Sequence, residues 1–198
     1  MAKKLDMDSV KQLREMTGAG IMDCKCALTE ADGNIEKAVS ILRKKGVELA
    51  AKKASRASKD GRVEAYIHHG AKIGVLVEVS CETDFVARNE DFKRFIKDIA
   101  MQIAAANPRY ISREQVPVDV LEAEREIVKA QMKGKPANVI DKAVPGKLEK
   151  FYQQSCLLEQ PFIKDDKVFI KDILASLIGK IGENISIKRF IRYQVGVD

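Results

Sequence analysis

The chain has 198 residues, 45% hydrophobic and 32% charged, enough for one medium domain or a small and a medium one, and apolar enough to pack a core. No run approaches the roughly 20 apolar residues of a membrane span, the start leads straight into polar sequence, and the four cysteines lack zinc or thioredoxin spacing; a cytoplasmic protein with reduced, packed thiols and no metal site is expected. The net charge of +6, most of it in the first 60 residues, admits an acidic protein surface, nucleic acid or the ribosome as partner without choosing between them.

Residues 8–46 read as three short helices. The first runs from a cap at Asp8 or Ser9 through Val10 and Leu13 to Thr17, with Gly18 as its left-handed stop. After the Gly18-Ala19-Gly20 corner, a second covers about Ile21 to Ala31 and ends at Asp32-Gly33. The third starts at Asn34, places Ile35, Ala38, Val39 and Leu42 on one face and ends before Gly46. A three-helix head of this size buries little area, which favours a binding element over an enzyme. Residues 47–61 begin with helix formers, turn small and polar, and read as a connector.

The period then changes to two. Val63, Ala65 and Ile67 alternate with Glu64, Tyr66 and His68, and beyond the 69–72 corner Ile73, Val75, Val77, Val79 and Cys81 alternate again, predicting a β-hairpin. Phe92, Phe95, Ile96, Ile99 and Ile103 follow at helical spacing, with Asn89 as cap and Asn107-Pro108 as stop; this helix should cover the sheet. Further helices fit residues 118–133, a piece from Pro136, another at 147–157 beyond Pro145-Gly146, and 168–182. Ile185, Ile187, Ile191, Tyr193 and Val195 predict a closing strand, interrupted at Arg189-Phe190 by a bulge or a functional surface. The fold class is α+β: a three-helix head (1–46), a connector (47–61) and a core (62–198) with a three-stranded antiparallel sheet covered by helices.

Catalytic chemistry finds no foothold. The two histidines, His68 and His69, are neighbours whose side chains point to opposite faces of a strand. Neither a Walker-type phosphate loop nor a Gly-x-Gly-x-x-Gly turn is present, so any nucleotide belongs to a partner. The acidic run Glu122 to Glu126 is a solvated helix face with basic neighbours. Lys188-Arg189-Phe190-Ile191-Arg192-Tyr193 mixes basic and aromatic residues as nucleic-acid readers do, so a basic RNA-binding or ribosome-associated module stands as the alternative reading.

Two stretches carry a resemblance. Val10 to Lys25, with its Met-Thr-Gly-Ala-Gly-Ile-Met-Asp-Cys-Lys ending, and Cys81-Glu82-Thr83-Asp84-Phe85-Val86-Ala87-Arg88-Asn89 both resemble signature segments of the elongation factor Ts family. The likeness continues through His69 to Glu78, Ile99 to Ala105 and Gly182-Glu183-Asn184-Ile185, nearly the whole chain.

The resemblance implies a ubiquitin-associated-like head and a non-catalytic guanine-nucleotide exchange factor acting on elongation factor Tu. GDP, GTP and magnesium would belong to that partner, with no cofactor on this chain and no direct nucleic-acid contact. It assigns Thr83, Asp84, Phe85 and Val86 as a wedge beside the partner's magnesium site, where residue patterning alone makes the segment the exit from a strand and Asp84 a helix cap. It makes Val10, Lys11, Arg14, Ile21 and Met22 contacts of the head, where residue patterning alone puts Val10 and Met22 in the core. Longer members carry the core motif twice, the second copy contacting a distal part of the partner. Here one unit holds both the wedge and the second-copy-like positions His69 and Lys97, which implies a homodimer, dimerised through the core, and a two-plus-two complex. Asp98 and Gln102 stand where histidines are frequent in the family.

Overall fold

The computed structural model describes residues 6–132, 134 and 136–197. Three helices open it: α1 (Met7–Thr17), α2 (Ile21–Glu30) and α3 (Ile35–Lys53). The expected cap of α1 lies slightly earlier, at Asp6, whose carboxylate accepts the Asp8 N–H; Gly18 closes the helix with φ 66°, and the Asn34 side chain caps α3 by accepting the Lys37 N–H at 2.9 Å. Val10, Leu13, Cys24, Ala27, Leu28, Ala31 and Ala38 form the head's core, with Ile35, Val39, Ile41 and Leu42 against it.

One expectation is overturned here. Helix α3 does not stop at Gly46 but continues to Lys53, so the first part of the connector is helical. Gly46 is present for packing: a Cβ there would lie 3.1 Å from the Ala175 carbonyl oxygen. Reciprocally, a Cβ on Gly179 would come within 3.4 Å of the Gly46 Cα. The later helix α8 (Ile170–Ile181) thus packs closely on α3 at these two glycines, where a Cβ on Gly46 would be tight against the Ala175 carbonyl and one on Gly179 would make an ordinary contact.

The hairpin forms as expected, β1 (Asp60–Ile67) and β2 (Ile73–Cys81), and β5 (Ser186–Gln194) lies beside β2 to give the order β1-β2-β5 of an antiparallel sheet packed with helices. On β2 the Val75, Val77, Val79 and Cys81 side chains are buried. On β1 the apolar set faces outward: Val63 and Ile67 are exposed. Along β5, Ile187 is buried whereas Ile191 and Tyr193 are exposed, and Arg192 reaches the Ala104 carbonyl with Nε at 3.2 Å. The facing therefore changes across Arg189-Phe190, where the sequence pattern breaks.

Between them run α4 (Asp84–Arg88), α5 (Glu90–Ala106), α6 (Val118–Gln131) and α7 (Ala137–Ser155). Asn89 heads α5 as expected, its side chain accepting the Asp91 N–H at 2.8 Å, and α5 buries Phe92, Phe95, Ile96, Ile99 and Ile103. Helices α6 and α7 pack side by side. The two expected pieces of α7 are one helix passing through Pro145, which removes one bond of the ladder without ending it. A short hairpin, β3 (Pro161–Phe162) with β4 (Asp165–Phe169), was not foreseen from the sequence.

The chain divides into two compact units. One comprises the chain to Val63, Glu78–Ile96 and Asp172–Ile187; the other comprises Glu64–Val77, Lys97–Lys171 and Lys188 onward. In the second unit Arg113 joins a small charged cluster. Its guanidinium donates to Glu149 at 2.9 Å and to Glu159 at 2.7 Å and stacks over the Tyr152 ring, while Lys171 also reaches Glu159 at 2.9 Å. The Arg113 hydrogen bond, opposed by burial and aided by Lys171, holds the Glu159 carboxyl below its ordinary range. A depressed carboxylate contributes stability that is complete above its ordinary value and lost as pH falls through the folded one. Arg113→Met is expected to cost about 2 kcal/mol at pH 7, less than the roughly 3–5 kcal/mol of a fully buried pair because the arginine is partly exposed. Urea titrations at pH 7 and pH 4 check this: the gap between variant and parent should shrink at the lower pH.

Candidate functional site

The segment Thr83-Asp84-Phe85-Val86 sits where β2 ends. The chain leaves the sheet at Cys81, is extended at Thr83 (φ −131°, ψ 157°) and turns at once into the five-residue α4. Asp84 is therefore the first residue of a helix rather than its cap, and its carboxylate pairs with Arg88 one turn on at 2.8 Å. Thr83 holds the cap position, yet its hydroxyl does not cap; it donates to Glu183 Oε1 at 2.7 Å.

Position on this short helix sorts the side chains. Val86 and Ala87 are buried and seat α4, whereas the Phe85 ring is 81% exposed, an unusual position for a large aromatic side chain. The Cys81 thiol donates to the Thr83 carbonyl at 3.1 Å. Burial, with the charges of Asp60 and Glu183, pushes that thiol up to about 11, so it stays protonated and serves as a hydrogen-bond donor. Cys24 and Cys156 are likewise buried and free, while Cys26 is exposed.

Sequence reasoning missed the residues that support this segment. Oε2 of Glu183 accepts the N–H groups of Glu82 at 3.1 Å and Thr83 at 3.0 Å. Glu82 returns the contact, accepting the Asn184 N–H at 2.6 Å. Gly182-Glu183-Asn184-Ile185 stands out in the sequence as one of the resembling stretches, but nothing local in it points to a partner about a hundred positions away.

In the head, Lys11, Arg14, Ile21 and Met22 are surface residues, Ile21 at 49% and Met22 at 67% exposure, on α1 and at the start of α2 beyond the glycine corner. Val10 is different. It is 3% exposed within the head's core, as patterning alone suggests, and so offers no surface to a partner. The head positions and the 83–86 segment fall in the same compact unit. His69 and Lys97, both exposed, belong to the other.

Within that second unit, Gln102 is fully buried. Its amide donates to Gln160 Oε1 at 3.1 Å and to the Pro161 carbonyl at 3.2 Å, and its oxygen accepts the Ile163 N–H at 2.9 Å. Asp98 pairs with Lys164 at 2.6 Å. These two positions therefore anchor the β3–β4 hairpin to α5 in this chain.

Among the described residues no helix is long and apolar enough to cross a membrane, and no three or more His, Cys, Asp or Glu side chains gather as a metal-binding group. The family model described as "Elongation factor TS" matches residues 8–197. A protein named elongation factor Ts from Caldanaerobacter subterraneus subsp. tengcongensis is 61% identical over 194 residues, 97% of each chain. One of the same name from Carboxydothermus hydrogenoformans is 61% identical over 94% of this chain and 87% of its own, and one from Thermotoga neapolitana is 56% identical over 98% of both. A match of this extent, spanning the head, the 83–86 segment and the last strand alike, places the chain in the elongation factor Ts family of translation elongation factors.

Proposed function

We propose that this chain is the guanine-nucleotide exchange factor of the translation GTPase elongation factor Tu, working in the cytoplasm, and that Phe85 with Asp84 is the element that displaces the partner's magnesium and phosphate-binding groups. The observation that carries this reading is the Phe85 ring, 81% exposed on a short helix whose other apolar residues, Val86 and Ala87, are buried. A ring held out on a seated helix can enter a cleft without the chain unfolding to present it. Magnesium tolerates little departure from octahedral geometry, so a small displacement of its supports weakens both the ion and the phosphates that it bridges. No covalent step is needed: a factor that binds the nucleotide-free GTPase more tightly than the GDP form must, by reciprocity, weaken GDP binding by the same factor.

Lys11, Arg14, Ile21 and Met22 supply the head's docking surface. His69 and Lys97 serve a distal contact, delivered by the second protomer of a homodimer in a two-plus-two complex. The outward sheet face supports a second copy as its cover: Ile67, Leu76, Ile191 and Tyr193 are all exposed apolar or aromatic side chains. Tyr193→Glu is expected to raise the dimer dissociation constant at least about thirtyfold, the size of one interface hot spot. Light scattering over a concentration series checks it; an unchanged dimer, or a fully active parent monomer, would remove the dimer from the account.

The linkage itself is tested by calorimetric titration. Affinity for nucleotide-free elongation factor Tu should exceed affinity for the GDP form by the same ratio by which the factor lowers GDP affinity. Equal affinity for both forms would exclude exchange.

A further inference from the structure

Helix α4 has five residues, far below the roughly 12 that an isolated helix needs, so nothing intrinsic holds the Phe85 ring where it is presented. The buried Val86 and Ala87 seat it, and the groups at its base set its direction. Two backbone N–H groups, those of Glu82 and Thr83, leave the sheet there, and both are taken by one oxygen of the Glu183 carboxylate; the other oxygen takes the Thr83 hydroxyl. Three bonds from one side chain to consecutive residues fix both the position and the direction in which α4 starts.

The contact does not end at Glu183. Glu82 accepts the N–H of Asn184, and the Asn184 carboxamide, almost fully buried, donates to the Arg56 carbonyl at 2.7 Å, just past the end of α3. The Arg56 guanidinium lies 3.7 Å from Glu82, and the Lys53 ammonium donates to the Gly182 carbonyl. The turn 182–184 thus joins the long helix of the head to the base of α4, largely through bonds to backbone atoms, within one compact unit.

We propose that Glu183 is a positioning residue for exchange: it holds α4 in the orientation that presents Phe85 and, through Glu82 and Asn184, registers that ring against the head, so that the partner meets a preset pair of contacts. This rests on the exchange reading given above. Glu183 is itself no contact of the partner in that reading. Its loss lets α4 sample other orientations, and the fraction of molecules poised for insertion falls.

The test uses the full-length chain with Glu183→Ala, Glu183→Gln and Glu183→Asp. Two readouts are taken: release of labelled GDP from elongation factor Tu over a range of factor concentrations, and amide hydrogen exchange of Glu82 and Thr83 in the free protein. Glu183→Ala is expected to lower the maximal release rate about tenfold or more. The half-saturating concentration should move far less, because the head surface is untouched. The Glu82 and Thr83 amides should lose protection while those of α5 keep it. Glu183→Gln should restore release to within about threefold, since its amide oxygen can accept the same two N–H groups and its nitrogen can donate to the Thr83 hydroxyl. Glu183→Asp keeps the charge but loses the reach of one methylene, and should fall between; it carries the comparison with Gln if the Ala variant fails to fold.

An Ala variant with unprotected amides and parental release would overturn the proposal. So would a Gln variant as impaired as Ala, which would make charge rather than geometry the cause. A parent chain that leaves GDP release unaltered overturns the exchange reading instead, and is told apart because no substitution is involved.

Discussion

Phe85→Ala is expected to cut the acceleration of GDP release about ten- to a hundredfold while moving the melting temperature by no more than about 2 °C. The two halves of that expectation come from one fact. A ring 81% exposed in the free chain contributes little to its folding, and surface substitutions of this kind stay within about 0.5 kcal/mol. Buried in a partner, the same ring is worth roughly 1.5–3 kcal/mol, and each 1.4 kcal/mol is a factor of ten. Any acceleration beyond two decades must come from the rest of the interface. Stopped-flow release of labelled GDP with a thermal melt on the same samples reads both halves; parental acceleration in a folded Phe85→Ala chain would show that another group enters the cleft.

The largest effect on folding is expected at Gly61. A Cβ there would lie 2.3 Å from the Val79 carbonyl oxygen and 2.7 Å from the Ser80 Cα, both backbone atoms of the neighbouring strand, and φ is +152°, a value that L side chains rarely adopt. Relief requires β1 and β2 to separate where they pair. Gly61→Ala should therefore destabilise by about 3 kcal/mol, the sum of overpacking and backbone strain, and lower the melting temperature by roughly 6–12 °C. Val79 and Ser80 run directly into Cys81 and the base of α4, so the surviving folded fraction should also exchange more slowly. Chemical denaturation gives the first number; a loss under 1 kcal/mol would contradict the packing described.

The parts of the fold with a repeating period were legible in the sequence. Val75, Val77 and Val79 announce a buried strand, Phe92 to Ile103 a covered helix, and Asn34 and Asn89 cap helices as short polar side chains do. What escaped depends on partners distant in the chain. The β3–β4 hairpin has a two-residue strand with no period to read, and it is placed by Gln102, some sixty positions away. Gly46 reads as a stop signal, and only the close approach of α8 explains a glycine inside α3. Val63 and Ile67 alternate correctly, but alternation does not say which face is covered.

The candidate site divides in the same way. Residue patterning gave Thr83 to Val86 no more than a strand exit and a cap, and the family resemblance supplied the wedge. The structure adds the exposed ring and the seated Val86 and Ala87. Patterning was correct about Val10, a core residue of the head. Met22, the other position it assigned to the core, is exposed. Glu183, Glu82 and Asn184 could not be found from spacing, since their bonds join segments about a hundred residues apart.

This chain is expected to drive nucleotide exchange without chemistry of its own. Labelled GDP bound to elongation factor Tu, mixed with excess unlabelled nucleotide and a substoichiometric amount of this chain, tests it most directly. The expected result is release of the whole labelled pool, at a rate rising in proportion to the added chain until binding saturates. Release that stays at the spontaneous rate at every concentration of a folded chain would contradict it.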